Sequence, residues 1–199
     1  MADIDRTDAE LISASLNDPA VFGTIFERHY QAVYRFTARR IGAGDATDLT
    51  ADTFVRAFEI RHRYNPEYAS CLPWLYRIAQ NLVGDRLRRV RRSGRIYLVA
   101  AAEALTAEFG EEADNRIVAT SISGQLNDAL RQLSKRDRNT LLLYALEGLT
   151  YAEIGRTLDI PAGTVGSRLA RARRQISEQI PDLEQKTRLR TRNEDEPDD

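Results

Sequence analysis

A chain of 199 residues with a formal net charge of −1 has room for one ordinary domain or two small ones, and its overall charge balance does not mark it as a nucleic-acid binder. The single cysteine, Cys71, excludes an internal disulfide framework, no apolar run is long enough to cross a bilayer, and the opening MADIDRTDAE lacks the charged-then-apolar build of a signal peptide, so a soluble, cytoplasmic protein is expected. His29, His62 and Cys71 show no metal-ligand spacing and no nucleophile–base pair, P-loop or glycine-rich phosphate cradle is present, so neither a metal, a cofactor nor enzymatic activity is expected.

Asp8–Leu16 has an acid-rich first turn with Leu11, Ile12 and Leu16, which predicts a short amphipathic helix broken by Asn17-Asp18-Pro19. From Ala20 to Ile41 the apolar positions Val21, Phe22, Ile25, Phe26, Tyr30, Val33, Tyr34 and Phe36 recur at three and four, predicting a long helix whose aromatic face joins a core. Gly42-Ala43-Gly44 is a stop. The helix that begins at Asp45 turns Leu49, Phe54, Val55, Ala57 and Phe58 inward and its acids outward.

Arg61–Leu72 lacks helical periodicity and contains Tyr64-Asn65-Pro66, so it is predicted to be a loop. Its tyrosines Tyr64 and Tyr68, beside Arg61 and Arg63, are the side-chain types that bind unstacked bases; the plainer alternative is that they cap the core. Pro73–Arg92 follows, with Trp74, Leu75, Ile78, Ala79, Leu82, Val83, Leu87 and Val90 on one arc of a helical wheel. The opposite stripe is Arg77, Asn81, Gly84 and Arg88. Arginine can hold phosphates, asparagine can pair with a base edge, and glycine lets a backbone approach. A solvated helix face is the plainer reading of the same stripe.

The basic charge is concentrated: Arg86, Arg88, Arg89, Arg91, Arg92 and Arg95 form one block, and Arg168, Arg171, Arg173 and Arg174 another. Between them, residues 93–114 shift to Ser-Gly, alanine-rich and then acidic composition, which predicts a flexible linker. Helical patterning returns from Asn115 to Leu133. Ser134 with Asp137 predicts a cap that starts a buried helix over Lys135–Leu146, stopped by Gly148. Thr150-Tyr151-Ala152-Glu153 has the form of a capping box and opens a short helix; a turn at Asp159-Ile160 and Pro161 at a first helical position open another. In that last helix Val165, Leu169, Ala172 and Ile176 form a narrow apolar stripe. Thr164, Ser167, Arg171 and Arg174 point away from it, with Arg168 and Arg173 on its flanks. Helix, tight turn and basic helix is the plan of a helix-turn-helix, whose second helix enters a major groove. After Pro181 the charged tail is expected to be disordered.

Three strings, DATDLTADTFVRAF (Asp45–Phe58), PWLYRIAQNLVGDRLRR (Pro73–Arg89) and LSKRDRNTLLLYALEGLTYAEIGRTLDIPAGTVGSRLARARRQI (Leu133–Ile176), together resemble the extracytoplasmic-function sigma factors of the sigma-70 family. The resemblance implies an all-α protein of two small helical domains. Residues 1–92 would form a region 2-like domain, 93–114 a linker, 115–180 a region 4-like domain with the helix-turn-helix, and 181–199 a tail. It implies binding to core RNA polymerase, promoter recognition, help with strand opening, and control by an anti-sigma factor, without membrane insertion. Asp45, Asp48, Asp52, Phe54 and Arg56 would grip the polymerase. Tyr64 would capture a flipped base of the −10 element, Trp74, Arg77 and Asn81 would support opening, and Arg86, Arg88, Arg89 and Arg92 would hold phosphates. Thr164, Ser167, Arg168, Arg171 and Arg173 would read the −35 element, joined by Arg174 from the helical wheel. The chain departs from the family's pattern at Gly166, Ala170 and Ala51-Asp52. A conventional helix-turn-helix regulator with an N-terminal dimerising or sensing domain stays open at this point.

Overall fold

The structure is a computed structural model and describes residues 6–92 and 125–180. The predicted linker, the charged tail and the start of the helix expected from Asn115 lie outside the described residues, as do the side chains of Val90, Arg91 and Arg92. Among the described residues all regular structure is helical. In chain order the helices are α1 (Asp8–Ser15), α2 (Phe22–Ile41), α3 (Ala43–Glu59), α4 (Leu72–Arg92), α5 (125–132), α6 (Lys135–Ala145), α7 (Tyr151–Leu158) and α8 (Ala162–Gln179), with short 3-10 turns at Pro19–Val21 and Arg61–Arg63. Packing divides the chain into two compact units, Met1–Ala101 with Ala152–Asp159, and Ala102–Tyr151 with Ile160–Asp199.

In the first unit α1 starts at a capping box: the Thr7 hydroxyl accepts from the Glu10 amide, and the Glu10 carboxylate accepts from the Thr7 amide at 2.7 Å. Asp8, one residue into the helix, is buried rather than solvated as a first-turn acid would be. Its Oδ1 accepts from the Arg28 guanidinium at 2.8 Å, and its Oδ2 lies 2.7 Å from His29 Nε2 and accepts from the Cys71 amide at 2.9 Å. One carboxylate thus joins α1, α2 and the residue that precedes α4.

The aromatic face expected on α2 divides. Phe22, Ile25, Val33 and Phe36 are buried, whereas Phe26 is 40% exposed and Tyr30 and Tyr34 stay at the rim. The positions they would have taken in the core belong to His29 and Thr37, because the buried face needs groups that satisfy Asp8 and bridge to α3. The Thr37 hydroxyl lies 2.9 Å from the Tyr34 carbonyl and 2.9 Å from the Thr50 hydroxyl, which ties α2 to α3. Gly42, with φ 83° and ψ 158°, turns the chain from α2 into α3 through a backbone region that only glycine enters without strain.

On α3 the buried set is Ala46, Leu49, Thr50, Thr53, Phe54 and Ala57. Val55, expected inward, is 59% exposed, since it is out of phase with that stripe. On α4 the expected arc holds: Leu75, Ile78, Ala79 and Val83 are buried, and Trp74, Leu82 and Leu87 partly so. Tyr76 lies outside that arc yet is 2% exposed, stacked on Phe36 with ring centroids 4.7 Å apart. Burying each such ring contributes roughly 1.5–3 kcal/mol.

In the second unit α6 begins at Ser134, whose hydroxyl accepts from the Asp137 amide at 3.1 Å and donates to Asp137 Oδ2 at 2.8 Å. Leu142 and Leu143 of α6 are buried, as is the stripe Val165, Leu169 and Ala172 of α8. Pro161 is the N-cap of α8, one residue before the helical position expected for it.

Burial alone would raise the Asp8 carboxyl, but the hydrogen bonds from His29, the Cys71 amide and Arg28, with the imidazole's charge, hold it well below the usual carboxylate range. A depressed carboxyl stabilises the fold fully above the unfolded value of about 4 and loses that contribution as pH falls toward the folded value. Asp8→Ala is therefore expected to cost about 2–4 kcal/mol at neutral pH and to flatten the acid limb of a stability-against-pH curve measured by urea unfolding.

Candidate nucleic-acid interface

The polar stripe of α4 faces solvent as its apolar arc goes inward: Arg77, Asn81, Arg86, Arg88 and Arg89 are exposed, while Gly84 is half-buried. Several of these side chains already hold acids. Arg86 pairs with Asp45 at 2.7 Å, Arg88 with Asp85, and Arg77 with Asp159 at 3.0 Å. Exposed pairs of this kind are worth about 0–1 kcal/mol, so a phosphate can displace the acid at little cost. A Cβ on Gly84 would meet only the Arg88 guanidinium, at 3.6 Å, so the fold does not require glycine there.

The loop before α4 presents its two tyrosines differently. Tyr64 is 8% exposed, its ring edge-on to Trp74 at 5.3 Å, and its hydroxyl donates to the Tyr68 carbonyl. Burial, and then the charges of Cys71 and Asp8, push the phenol above its ordinary value, so it remains a neutral donor. Tyr68 is 37% exposed with the Arg156 guanidinium over its ring at 4.1 Å. Tyr64 and Trp74 thus form one aromatic step beside the basic stripe, with Tyr64 as its buried tread.

Beneath that step the structure gathers a cluster invisible to sequence spacing: Asp8, His29 and Cys71, with potential ligand atoms all within 4.8 Å of one another. Their mutual geometry explains it without an ion. Both oxygens of Asp8 are engaged by His29, the Cys71 amide and Arg28, and the guanidinium at 2.8 Å opposes a second cation at that carboxylate. The cluster is a strut under the loop. Burial and the Asp8 charge push the Cys71 thiol far up, which removes the thiolate that redox chemistry would need.

On α3, Asp48 and Asp52 are exposed and share a stripe with Val55, Arg56 and Glu59, the last two paired at 2.9 Å. Phe54, expected among them, is 4% exposed and packs edge-on to Phe26 at 5.0 Å. Val55, expected in the core, is the large apolar group exposed on this stripe, and Phe26 of α2, also expected in the core, is 40% exposed beside the buried Phe54.

On α8 the six expected readers differ in freedom. Thr164 and Arg168 are half-buried, and the exposed Ser167 donates to the Thr164 carbonyl at 3.0 Å. Arg171 Nη1 donates to both Asp137 oxygens, at 3.1 and 3.4 Å. The Arg173 guanidinium lies 5.2 Å from the Tyr144 ring centroid. Arg174 is 72% exposed with only a 3.9 Å approach to Glu178. Of the six, Arg171 and Arg173 lean on α6, Arg174 is largely exposed, Ser167 is bonded to the carbonyl of Thr164 in its own helix, and Thr164 and Arg168 are half-buried.

Residues 25–93 match the family described as sigma-70 region 2, and residues 123–176 the family described as sigma-70, region 4. Among curated proteins the chain is similar to the ECF RNA polymerase sigma factor SigE of Mycolicibacterium smegmatis, 35% identical over 159 residues, which are 78% of this chain and 60% of that relative's length. It is also similar to the ECF RNA polymerase sigma factor SigW of Bacillus subtilis, 30% identical over 181 residues, 83% of this chain and 92% of the relative. Among solved structures its fold is like CnrH in complex with the cytosolic domain of CnrY, with a TM-score of 0.60 at 22% identity, covering 88% of this chain and 97% of that one. It is also like the sigma factor RpoE in complex with the anti-sigma factor NepR from Bartonella quintana, with a TM-score of 0.56 at 20% identity, covering 80% and 96%.

The strut makes its own forecast. Cys71 should resist a thiol reagent such as DTNB in the native protein and react at an ordinary rate once urea unfolds it; rapid labelling of native protein would show that the thiol is not held under the loop.

Proposed function

Because this chain belongs to the extracytoplasmic-function sigma factors of the sigma-70 family, which confer promoter-specific initiation on RNA polymerase, we propose that its helices α3, α4 and α8 divide that task among three surfaces. The acid stripe of α3, Asp48 and Asp52 with Val55 and Arg56 and with Asp45 at its start, docks on core polymerase. The basic stripe of α4 holds the −10 element through Arg77, Asn81, Arg86, Arg88, Arg89 and Arg92, while Tyr64 and Trp74 offer an aromatic step to a base leaving the duplex. Helix α8 reads the −35 element through Thr164, Ser167, Arg168, Arg171, Arg173 and Arg174. The chemistry of RNA synthesis stays with the polymerase, and the work is done in the cytoplasm.

The observation that supports this most is on α4, where exposed Arg77, Asn81 and Arg88 lie on one helix face, Arg86 and Arg89 are exposed beside it, and half-buried Trp74 with buried Tyr64 stands at the helix start. Arginines on a regular helical spacing fit phosphates, and an aromatic pair at the helix start fits an unstacked base. Extruding that base costs a few kcal/mol, which stacking and base-edge hydrogen bonds offset. The loop hydrogen bond of Tyr64 would then be exchanged when a base arrives.

Two solved structures of similar fold are described as complexes, one with the cytosolic domain of CnrY and one with the anti-sigma factor NepR. An anti-sigma protein covering the same three surfaces is the corresponding partner proposed for this chain. The alternative of a conventional helix-turn-helix regulator gains no support, since residues 25–93 match sigma-70 region 2.

The deciding experiment is transcription in vitro with purified core polymerase and mapping of start sites; no initiation above core alone at any genomic site would overturn the reading. Tyr64→Leu, which keeps apolar bulk under Trp74, should leave duplex binding within about twofold and slow promoter opening roughly tenfold when followed with a fluorescent base in the −10 element. Asp48→Lys with Asp52→Lys should weaken association with core polymerase by roughly 10-fold or more, and undiminished co-purification would remove α3 from the interface.

A further inference from the structure

The arginines of α8 are not equally engaged, and Arg171 and Arg173 both reach α6. Arg171 reaches Asp137, a carboxylate 3% exposed, with one Nη1 donating to both oxygens at 3.1 and 3.4 Å. Asp137 is itself immobile: its amide donates to Ser134 Oγ at 3.1 Å and its Oδ2 accepts from the same hydroxyl at 2.8 Å, so the acid is locked into the first turn of α6. Half of the Arg171 side chain nonetheless remains exposed. Arg173 leans over Tyr144 of α6 at 5.2 Å. Arg174, by contrast, is 72% exposed with only a 3.9 Å approach to Glu178 of its own helix.

From this geometry we infer that Asp137 is a positioning residue for promoter recognition: it sets the direction in which Arg171 leaves α8, and so decides which base pair of the −35 element that arginine reads. The inference rests on the reading of α8 as the helix that meets the −35 element. A long arginine free to rotate can satisfy a phosphate anywhere within reach, but pairing with a guanine edge needs its planar fork in one orientation. A buried carboxylate taking one nitrogen of the fork leaves the other nitrogens pointing outward in a defined plane. This is how a group that touches no DNA acquires a part in sequence choice.

The test uses the complete chain in holoenzyme with core polymerase. A promoter found by start-site mapping is randomised across its upstream element, and the base preference at every position is read from the transcripts. Arg171→Ala should lose roughly 5- to 150-fold discrimination at one base pair, the range a well-placed arginine supplies. Asp137→Asn should flatten the profile at that same base pair by at least about threefold and leave the other positions unchanged. In the Arg171→Ala background Asp137→Asn should change nothing further, because its effect passes through the arginine. Asp137→Glu, which restores the charge, should recover part of the preference. A merely structural acid would lower the thermal midpoint while every position kept its preference, and that result overturns the positioning role alone. An Arg171→Ala variant with the wild-type profile would overturn both this inference and the placement of α8 on the −35 element. Should Asp137→Asn fold poorly, Ser134→Ala, which loosens the acid without removing it, should blunt the same base pair; an unaltered profile there counts against the proposal equally.

Discussion

The Asp8 carboxylate is the constraint on which the first unit depends. A buried anion is tolerated only if its oxygens are taken up by donors, and here the donors come from α2 and from the residue just before α4. Satisfying one charge therefore fixes three segments at once. The Cys71 amide is tied down, α4 begins one residue later, and Tyr64 lies against Trp74 in the loop that the strut supports. The direction of the α4 basic face follows from that anchoring together with the stacking of Tyr76 on Phe36.

The arginines of both basic helices are used in a similar way. On α4, Arg86 and Arg88 hold acids at the surface, where water screens the pair and the exchange for a phosphate is nearly neutral. On α8, Arg171 holds an acid that is almost wholly buried, so the ion pair also sets a side-chain direction. The difference lies in the acid and its burial. Exposed acids leave the arginines of α4 in screened pairs, and a buried one gives Arg171 its direction.

The apolar surface has a comparable division. Phe22, Phe36 and Phe54 fill the core, while Phe26 of α2 is partly exposed and Val55 stays in water on the stripe of the α3 acids. Charge on a protein surface steers a partner and sets register, whereas exposed apolar groups supply the desolvation that holds it. A stripe with both suits a partner that must be gripped and later released.

Residue patterns along the chain determined the helices, their order, the cap at Ser134, the stop at Gly42 and the α4 stripe with its opposite arc, whereas the family was legible only as a resemblance carried by three strings. Those features are local: each depends on side chains within one or two turns of the chain, where a helical wheel is a true map. What only the tertiary structure decided are the positions where two elements compete for one space. Asp8 and His29 went inside because they satisfy each other across α1 and α2, which displaced Phe26 to the surface. Val55 fell outside the buried stripe of α3, and Tyr76 entered the core because Phe36 offered a ring face. The ranking among the α8 arginines was equally out of reach of the sequence, since Asp137 lies 34 residues from Arg171 and only the packing of α6 on α8 brings their charges together.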